Sequence, residues 1–378
     1  MSAPSILLSA GEASGDLHGA ALARALRRRW PDARLWGLGG PRMRAEGVRL
    51  MADLDRLAVM GFAEVLRHLP YFAGLLSRLR RELAERPPDL VIPIDYPGLN
   101  MRLARAARAR RIPVLYYIAP QFWAWKGRRA QELGRIADRV AVILPFEAEG
   151  LERAGASADF VGHPLLEERP AAPSREDFCA SLDLDTGRAL IALLPGSRRQ
   201  EIARHLGPFV EAARRAAAPT GAAPVLALAP GLPAGLFAGA GVAVTPDAWG
   251  LLEHARGALV KSGTGTLQAA ITATPLVVAY RTSALTYALA RRVVRVPHVS
   301  LVNLVADAPV VPELLQRDVE PGPLAQALAR ILEEGPERAA MLDGLARVRT
   351  ALAAPAGAGP SERVAELAAR LLAGGAGA

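Results

Sequence analysis

Ser5-Ile6-Leu7-Leu8-Ser9-Ala10-Gly11-Glu12-Ala13-Ser14-Gly15-Asp16 is the stretch that decides the fold class. A short apolar run empties into a Gly-rich loop. The loop opens a helix, read over His18 to Arg29 from the spacing of its apolar and Ala positions. A strand-loop-helix unit of this kind aims backbone N–H groups and the positive end of a helix dipole into one crevice. Glu12 and Asp16 add carboxylates to the same lip. A tight turn with a capping Asp explains the loop equally well, so by itself it indicates an α/β protein.

Working outward, apolar runs at Ser5–Ser9, Arg34–Leu38, Leu90–Ile94, Val114–Ile118 and Val140–Leu144 alternate with amphipathic segments. That alternation predicts a parallel sheet wrapped by helices. The rhythm breaks between Val161 and Arg188, where Pro164, Pro170 and Pro173 lie. It restarts with strands expected at Ala189–Leu194, Pro224–Leu228, Gly241–Val244, Gly257–Val260 and Pro275–Tyr280. We therefore expect two Rossmann-like domains, residues 1–165 and 166–345. Residues 346–378 complete the chain as a helix and a frayed Gly/Ala tail. Two parallel sheets are expected to face a central cleft at their carboxyl ends.

The chain has 378 residues, ample for two cores, and a single cysteine, Cys179. The cysteine excludes a disulfide framework, and no His or Cys cluster has metal-ligand spacing. No signal peptide and no run long enough to span a bilayer is recognised, so a cytoplasmic location is expected. The formal net charge of +9 favours anionic partners. Only Lys126 and Lys261 are lysines, and the arginines are dispersed rather than striped, which argues against nucleic acid.

Leu193-Leu194-Pro195-Gly196-Ser197-Arg198 follows a strand and precedes a helix. Gly196 permits close backbone approach, Ser197 can donate, and Arg198 offers a fork for phosphate oxygens. A diphosphate clamp is the reading preferred over a plain helix cap. Lys261-Ser262-Gly263-Thr264-Gly265-Thr266 is a second such loop, in which Ser262, Gly263 and Thr264 suit an oxyanion; an ordinary βα turn is the alternative. Asp95 ends the run Leu90–Ile94, as a catalytic carboxylate or as a cap for the next helix. Tyr116 to Lys126 concentrates aromatics; Gln121, Trp123 and Trp125 would line a sugar or acyl pocket, or else belong to the core. Between Leu57 and Arg81, Leu66, Leu69, Phe72 and Leu76 recur at helical spacing among basic residues. Such a helix lies on an anionic membrane surface or packs on a sheet.

Ala10 to Asp16, Leu57-Ala58-Val59-Met60-Gly61, Gln121 to Trp125, Leu144-Pro145-Phe146-Glu147 and Phe160-Val161-Gly162-His163 together resemble the lipid-A-disaccharide synthase family. So do Leu193 to Arg198, Ser262-Gly263-Thr264, Tyr280-Arg281 and Val299 to Leu304, in the same order. The resemblance implies a GT-B glycosyltransferase that uses no metal or other cofactor. Such enzymes join UDP-2,3-diacylglucosamine to 2,3-diacylglucosamine 1-phosphate, with inversion, giving a β(1→6) disaccharide 1-phosphate and UDP. It implies that Asp95 is the general base, that Glu12 is the acidic residue of the first loop, and that Arg198 and Asn303 face the donor. It also implies work at the inner face of the cytoplasmic membrane; a homodimer is left open. Gln268 stands where the family has a Glu for the ribose, and Gly98 where an Asp is common. Two alternatives remain: another UDP-sugar enzyme of this fold, such as an epimerase, or a nucleotide-binding relative without catalysis.

Overall fold

The computed structural model describes residues 3–53, 62–120, 127–284, 286–288 and 297–374, with side chains described at all of these except 53, 62–70, 127 and 356. The chain divides into two compact units, residues 1–167 with 353–378, and residues 168–352.

The first unit contains strands β1 (Ser5–Ser9), β2 (Arg34–Gly39), β3 (Arg49–Asp53), β4 (Leu90–Pro93), β5 (Leu115–Tyr117), β6 (Arg139–Val142) and β7 (Ala158–Phe160). They form parallel ladders in the orders β3-β2-β1-β4 and β5-β6-β7. Parallel bridges Val91–Val114 and Ile94–Tyr117 join β4 to the second ladder. The strand order reverses between β1 and β4, so the loops after these strands diverge and leave a crevice at their carboxyl ends.

Ile6, Leu7 and Leu8 are fully buried because β1 is central and covered on both faces. The helix Ala13–Arg29 covers one face. The helix Pro360–Gly374 packs beside it, and Val364, Leu367 and Ala368 enter the same core as Ile6 and Leu26. Burial of each such Val or Leu contributes roughly 1.5–3 kcal/mol. The end of the chain is therefore part of the first unit, and its start is tied down by Glu167, which accepts from Ser361 N and Oγ at 3.2 and 2.7 Å.

The second unit carries β8 (Leu190–Leu194), β9 (Ala223–Ala227), β10 (Ala243–Thr245), β11 (Ala255–Lys261), β12 (Leu276–Tyr280) and β13 (Glu313–Leu315). All pairings are parallel, in the order β10-β9-β8-β11-β12-β13. Here the reversal falls between β8 and β11, the strands that feed Gly196–Arg198 and Ser262–Thr264.

The expected strands are present, but β3, β7 and β13 are additional. Each is short, with polar residues at an end or in its middle, and so lacks an apolar run. The first helix begins at Ala13 rather than His18, with Glu12 at the N-cap position in extended backbone and no side-chain capping bond. The Ala/Leu/Arg-rich region after Pro321 is three helices, Pro321–Leu332, Pro336–Ala351 and Pro360–Gly374. Each opens on a proline, which is tolerated in a first turn and interrupts any helix that precedes it.

The helix Phe62–Glu85 requires a correction. Leu76 is only 9% exposed and packs in the core with Leu75, Leu79 and Leu83, so it faces the sheet and not a membrane. Phe72 is half-buried against the same core. Leu66 and Leu69 lie where side chains are outside the described residues. The exposed face of the last turns is instead polar and basic, with Ser77, Arg78 and Arg81. Among the described residues no helix is long and apolar enough to cross a membrane.

Candidate active site

In the first unit the carboxyl ends of β1 and β4 are held together by one side chain. Asn100, fully buried, donates from Nδ2 to the carbonyls of Ser9, Ile94 and Asp95 at 3.0, 3.0 and 2.8 Å. Its Oδ1 accepts from Ser9 Oγ at 2.6 Å. The Asp95 carbonyl also accepts from the Tyr116 hydroxyl at 2.9 Å, and Asp95 N donates to Tyr117 O at 2.9 Å.

These bonds lock Asp95 and Tyr96 into the left-handed region, with φ of 45° and 47°. Two consecutive non-glycine residues in that region cost about 1–3 kcal/mol each and persist only when their surroundings impose it. The kink brings the Tyr96 ring against β1's loop. A Cβ on Gly11 would stand 2.2 Å from Tyr96 Cδ1, so Gly11 is required by close approach. Neither Asn100 nor Ser9 was singled out as functional from the sequence. Their only signal there is that Asn100 lies five residues after Asp95, at the start of a helix.

Asp95 and Glu12 come together. Burial pushes the Asp95 carboxyl up to about 6, and the charge of Glu12 adds to the rise; a hydrogen bond from Tyr96 N–H and the nearby His18 partly oppose it. Glu12 itself is exposed at the head of the helix Ala13–Arg29. A carboxylate that titrates near neutrality at a strand end is suited to accept a proton at cellular pH. His163 is buried and accepts from Leu165 N through Nδ1 at 3.2 Å, which places its proton on Nε2. Burial and the nearby His18 push His163 down to about 3, so it stays neutral.

Asp16 has a different task. It is buried and accepts from the N–H groups of Gly40, Arg42 and Met43 at 2.7, 3.0 and 3.0 Å. It caps the short helix Pro41–Ala45 and does not sit on an open lip.

In the second unit the loop after β8 turns at Gly196, whose φ of +129° few side chains tolerate. Arg198 is the N-cap of the helix Arg199–Ala217, and its guanidinium is 71% exposed. Glu201 reaches back so that Oε2 accepts from Ser197 N and Arg198 N at 3.0 and 3.3 Å. Its Oε1 pairs with Lys261 Nζ at 2.9 Å. Lys261 ends β11 and immediately precedes Ser262-Gly263-Thr264, with Gly263 as N-cap of the helix Thr264–Ile271. The two loops expected to meet a diphosphate thus share one ion pair. Thr264 is exposed and Gln268 half-buried one turn into that helix. Ser262 Oγ donates to Val299 O at 2.9 Å.

Asn303 is placed inside the unit. It is buried, its Nδ2 donates to Val311 O and Glu313 Oε1, both at 2.9 Å, and its Oδ1 accepts from Val311 N at 2.9 Å. Its carboxamide is spent on shaping the segment that Ser262 touches. Gln121, Trp123 and Trp125 lie outside the described residues.

Two parallel α/β units, with Asp95 at the end of β4 in one and Arg198 and Lys261 at the loops after β8 and β11 in the other, make up the GT-B fold. CalG4, the calicheamicin glycosyltransferase, shares the fold with a TM-score of 0.63 at 18% identity, with 99% of each chain covered. A Neisseria meningitidis UDP-GlcNAc 2-epimerase, solved with UDP-GlcNAc, aligns with a TM-score of 0.62 at 11% identity, over 98% of this chain and 99% of that one. The fold alone therefore spans transferases and epimerases. The family is decided by sequence: the family model for lipid-A-disaccharide synthetase matches residues 6–226 and 242–354, and the chain belongs to that family. Lipid-A-disaccharide synthases of Acidobacterium capsulatum and Geobacter sulfurreducens are 43% and 41% identical, covering 98% and 97% of this chain and 97% of each relative.

Proposed function

We propose that the protein condenses UDP-2,3-diacylglucosamine with 2,3-diacylglucosamine 1-phosphate to the β(1→6) disaccharide 1-phosphate and UDP. The observation that carries this reading is Asp95, locked in the left-handed region at the end of β4 and raised to about 6. Asp95 takes the proton from the acceptor 6-hydroxyl. The freed oxygen attacks the donor anomeric carbon from the face opposite the diphosphate, so the configuration inverts. The bond from that carbon to the diphosphate oxygen breaks, and UDP leaves with the electron pair. Arg198 and the backbone N–H groups of Gly263 and Thr264 meet the charge that develops there. Burial, with the charge of Glu12 adding to it, keeps Asp95 basic enough to act near neutral pH.

The test is UDP release in mixed micelles with and without the acceptor. Release that requires the acceptor and yields a disaccharide supports the transferase; acceptor-independent turnover of UDP-sugar points to an epimerase. Arg198→Ala is expected to lower kcat/KM for the donor about 10- to 100-fold, the effect of removing one charged hydrogen-bond donor. Unchanged donor kinetics would remove Arg198 from the site.

Both substrates carry acyl chains, which supports attachment to the inner face of the cytoplasmic membrane. The exposed Arg78 and Arg81 on the helix Phe62–Glu85 suit an anionic lipid surface. Replacing both by Ala should weaken binding to phosphatidylglycerol vesicles about 30-fold, at about 1 kcal/mol per charge. Equal sedimentation of variant and parent would place the membrane contact elsewhere.

A further inference from the structure

Of the two lysines in the chain, Lys261 is the one among the described residues, and its surroundings suit a compact ammonium better than the wider fork of an arginine. Its ammonium lies 2.9 Å from Glu201 Oε1, with both side chains only 15% exposed. It lies over the Tyr280 ring, 5.6 Å from the centroid, in a cation–π arrangement. A Cβ built on Gly263 would stand 3.7 Å from Nζ, so the charge borders the turn of the Ser262–Thr264 loop. A compact ammonium fits between ring, carboxylate and turn, whereas a planar five-donor fork needs more width.

The network around it is continuous. The carboxylate of Glu201 that holds Lys261 also holds the N–H groups of Ser197 and Arg198. Burial pushes this carboxyl up, but Lys261 and the Ser197 N–H outweigh burial and hold it below its usual value, so the pair is ionised. One turn further on, the buried His205 donates from Nδ1 to Glu201 O at 2.7 Å and accepts from Arg281 N through Nε2 at 3.0 Å. The carboxyl ends of β8, β11 and β12 are thereby joined through Glu201, Lys261 and His205.

We propose that Lys261, tethered by Glu201, is a second cation for the diphosphate of the nucleotide donor, acting beside Arg198. This rests on the donor-site reading given above. An ammonium has three N–H donors, and among the described residues Glu201 is its hydrogen-bonding partner, which leaves donors for phosphate oxygens. Arg198 is exposed and pairs with Glu201 Oε1 at the longer distance of 3.6 Å, while Lys261 is held at 2.9 Å before the ligand arrives. The helix N-terminus already has an internal anion in Glu201, so cationic side chains carry more of the work on the departing group.

Binding of UDP and of uridine to the full chain, measured by calorimetry for the parent, Lys261→Met and Lys261→Arg, tests this. Lys261→Met should weaken UDP about 10- to 100-fold, the effect of a charged hydrogen bond, and leave uridine affinity unchanged. Lys261→Arg should recover part of the loss. An unchanged UDP affinity in Lys261→Met overturns the proposal, and so does an equal loss for UDP and uridine, which would make Lys261 structural. If the parent binds uridine but gains nothing from the diphosphate, Lys261 has no phosphate to meet and the inference falls while a nucleoside site stands. If the parent binds neither, the donor-site reading fails and takes the inference with it.

Discussion

Asp95→Asn is expected to lower kcat at least 10²- to 10⁴-fold at pH 8 while leaving UDP affinity unchanged, because it removes the proton acceptor and little else. Asn has nearly the shape of Asp and tolerates the left-handed backbone well, so the kink at Asp95–Tyr96 should survive. The parent enzyme should show activity that rises through pH 6 and levels above it, following the ionisation of a carboxyl raised from 3.8 to about 6. The same shift predicts an opposite effect on stability. A raised carboxyl binds its proton more tightly when folded, which stabilises the protein below the unfolded value; that contribution is lost as pH rises through about 6. Above that pH the ionised Asp95, buried beside Glu12, works against folding. The neutral Asn carries no such charge, so the inactive variant should unfold at a higher temperature than the parent at pH 8. The difference is on the order of 3 kcal/mol and should vanish near pH 4. Thermal unfolding at the two pH values checks this; an activity near normal would remove Asp95 as the base.

Asn100→Leu should show the reverse pairing, loss of activity together with loss of stability. The change keeps the branching at Cγ, adds bulk and removes every polar contact. The Ile94 carbonyl loses its donor and the Ser9 hydroxyl its acceptor, while the Ser9 carbonyl keeps the bond from Ile94 N at 2.8 Å. Each unsatisfied buried group costs about 1–3 kcal/mol, so a total of about 2–5 kcal/mol is expected for these two. Asp95 O keeps the bond from Tyr116, but one bond no longer forces two residues into the left-handed region. A base displaced by about 1 Å loses roughly 10²-fold in rate. We therefore expect kcat to fall at least that far, with UDP affinity preserved because the second unit is untouched. A variant with normal kcat would show that Asp95 is held by β4 alone.

Much of the architecture is legible in the linear chain. Ile6-Leu7-Leu8 and Leu190-Ile191-Ala192-Leu193 announce themselves as strands because strands buried on both faces are apolar throughout. The glycine-bearing turns after them, at Gly11, Gly196 and Gly263, mark where the backbone bends sharply or is closely approached. The motifs in between suffice to place the chain in its family. Short strands at the sheet edges escaped, since Arg49–Asp53 and Glu313–Leu315 carry charges that a run of apolar residues would exclude.

Other features depended on neighbours far away in sequence. Helical periodicity in Phe62–Glu85 reveals an apolar stripe but not what covers it, and the sheet covers Leu76. Asp16 and Asp95 are the same side chain near the ends of adjacent strands. One spends its oxygens on three backbone N–H groups around Gly40, and the other is desolvated beside Glu12. Lys261 and Glu201 meet only because β8 and β11 are adjacent in a parallel sheet. Local sequence decides where the chain runs straight, coils and turns, because those choices rest on burial patterns and backbone sterics a few residues long. Which carboxylate acts as a base is decided by burial and by hydrogen bonds, both made by residues that only the folded chain brings together.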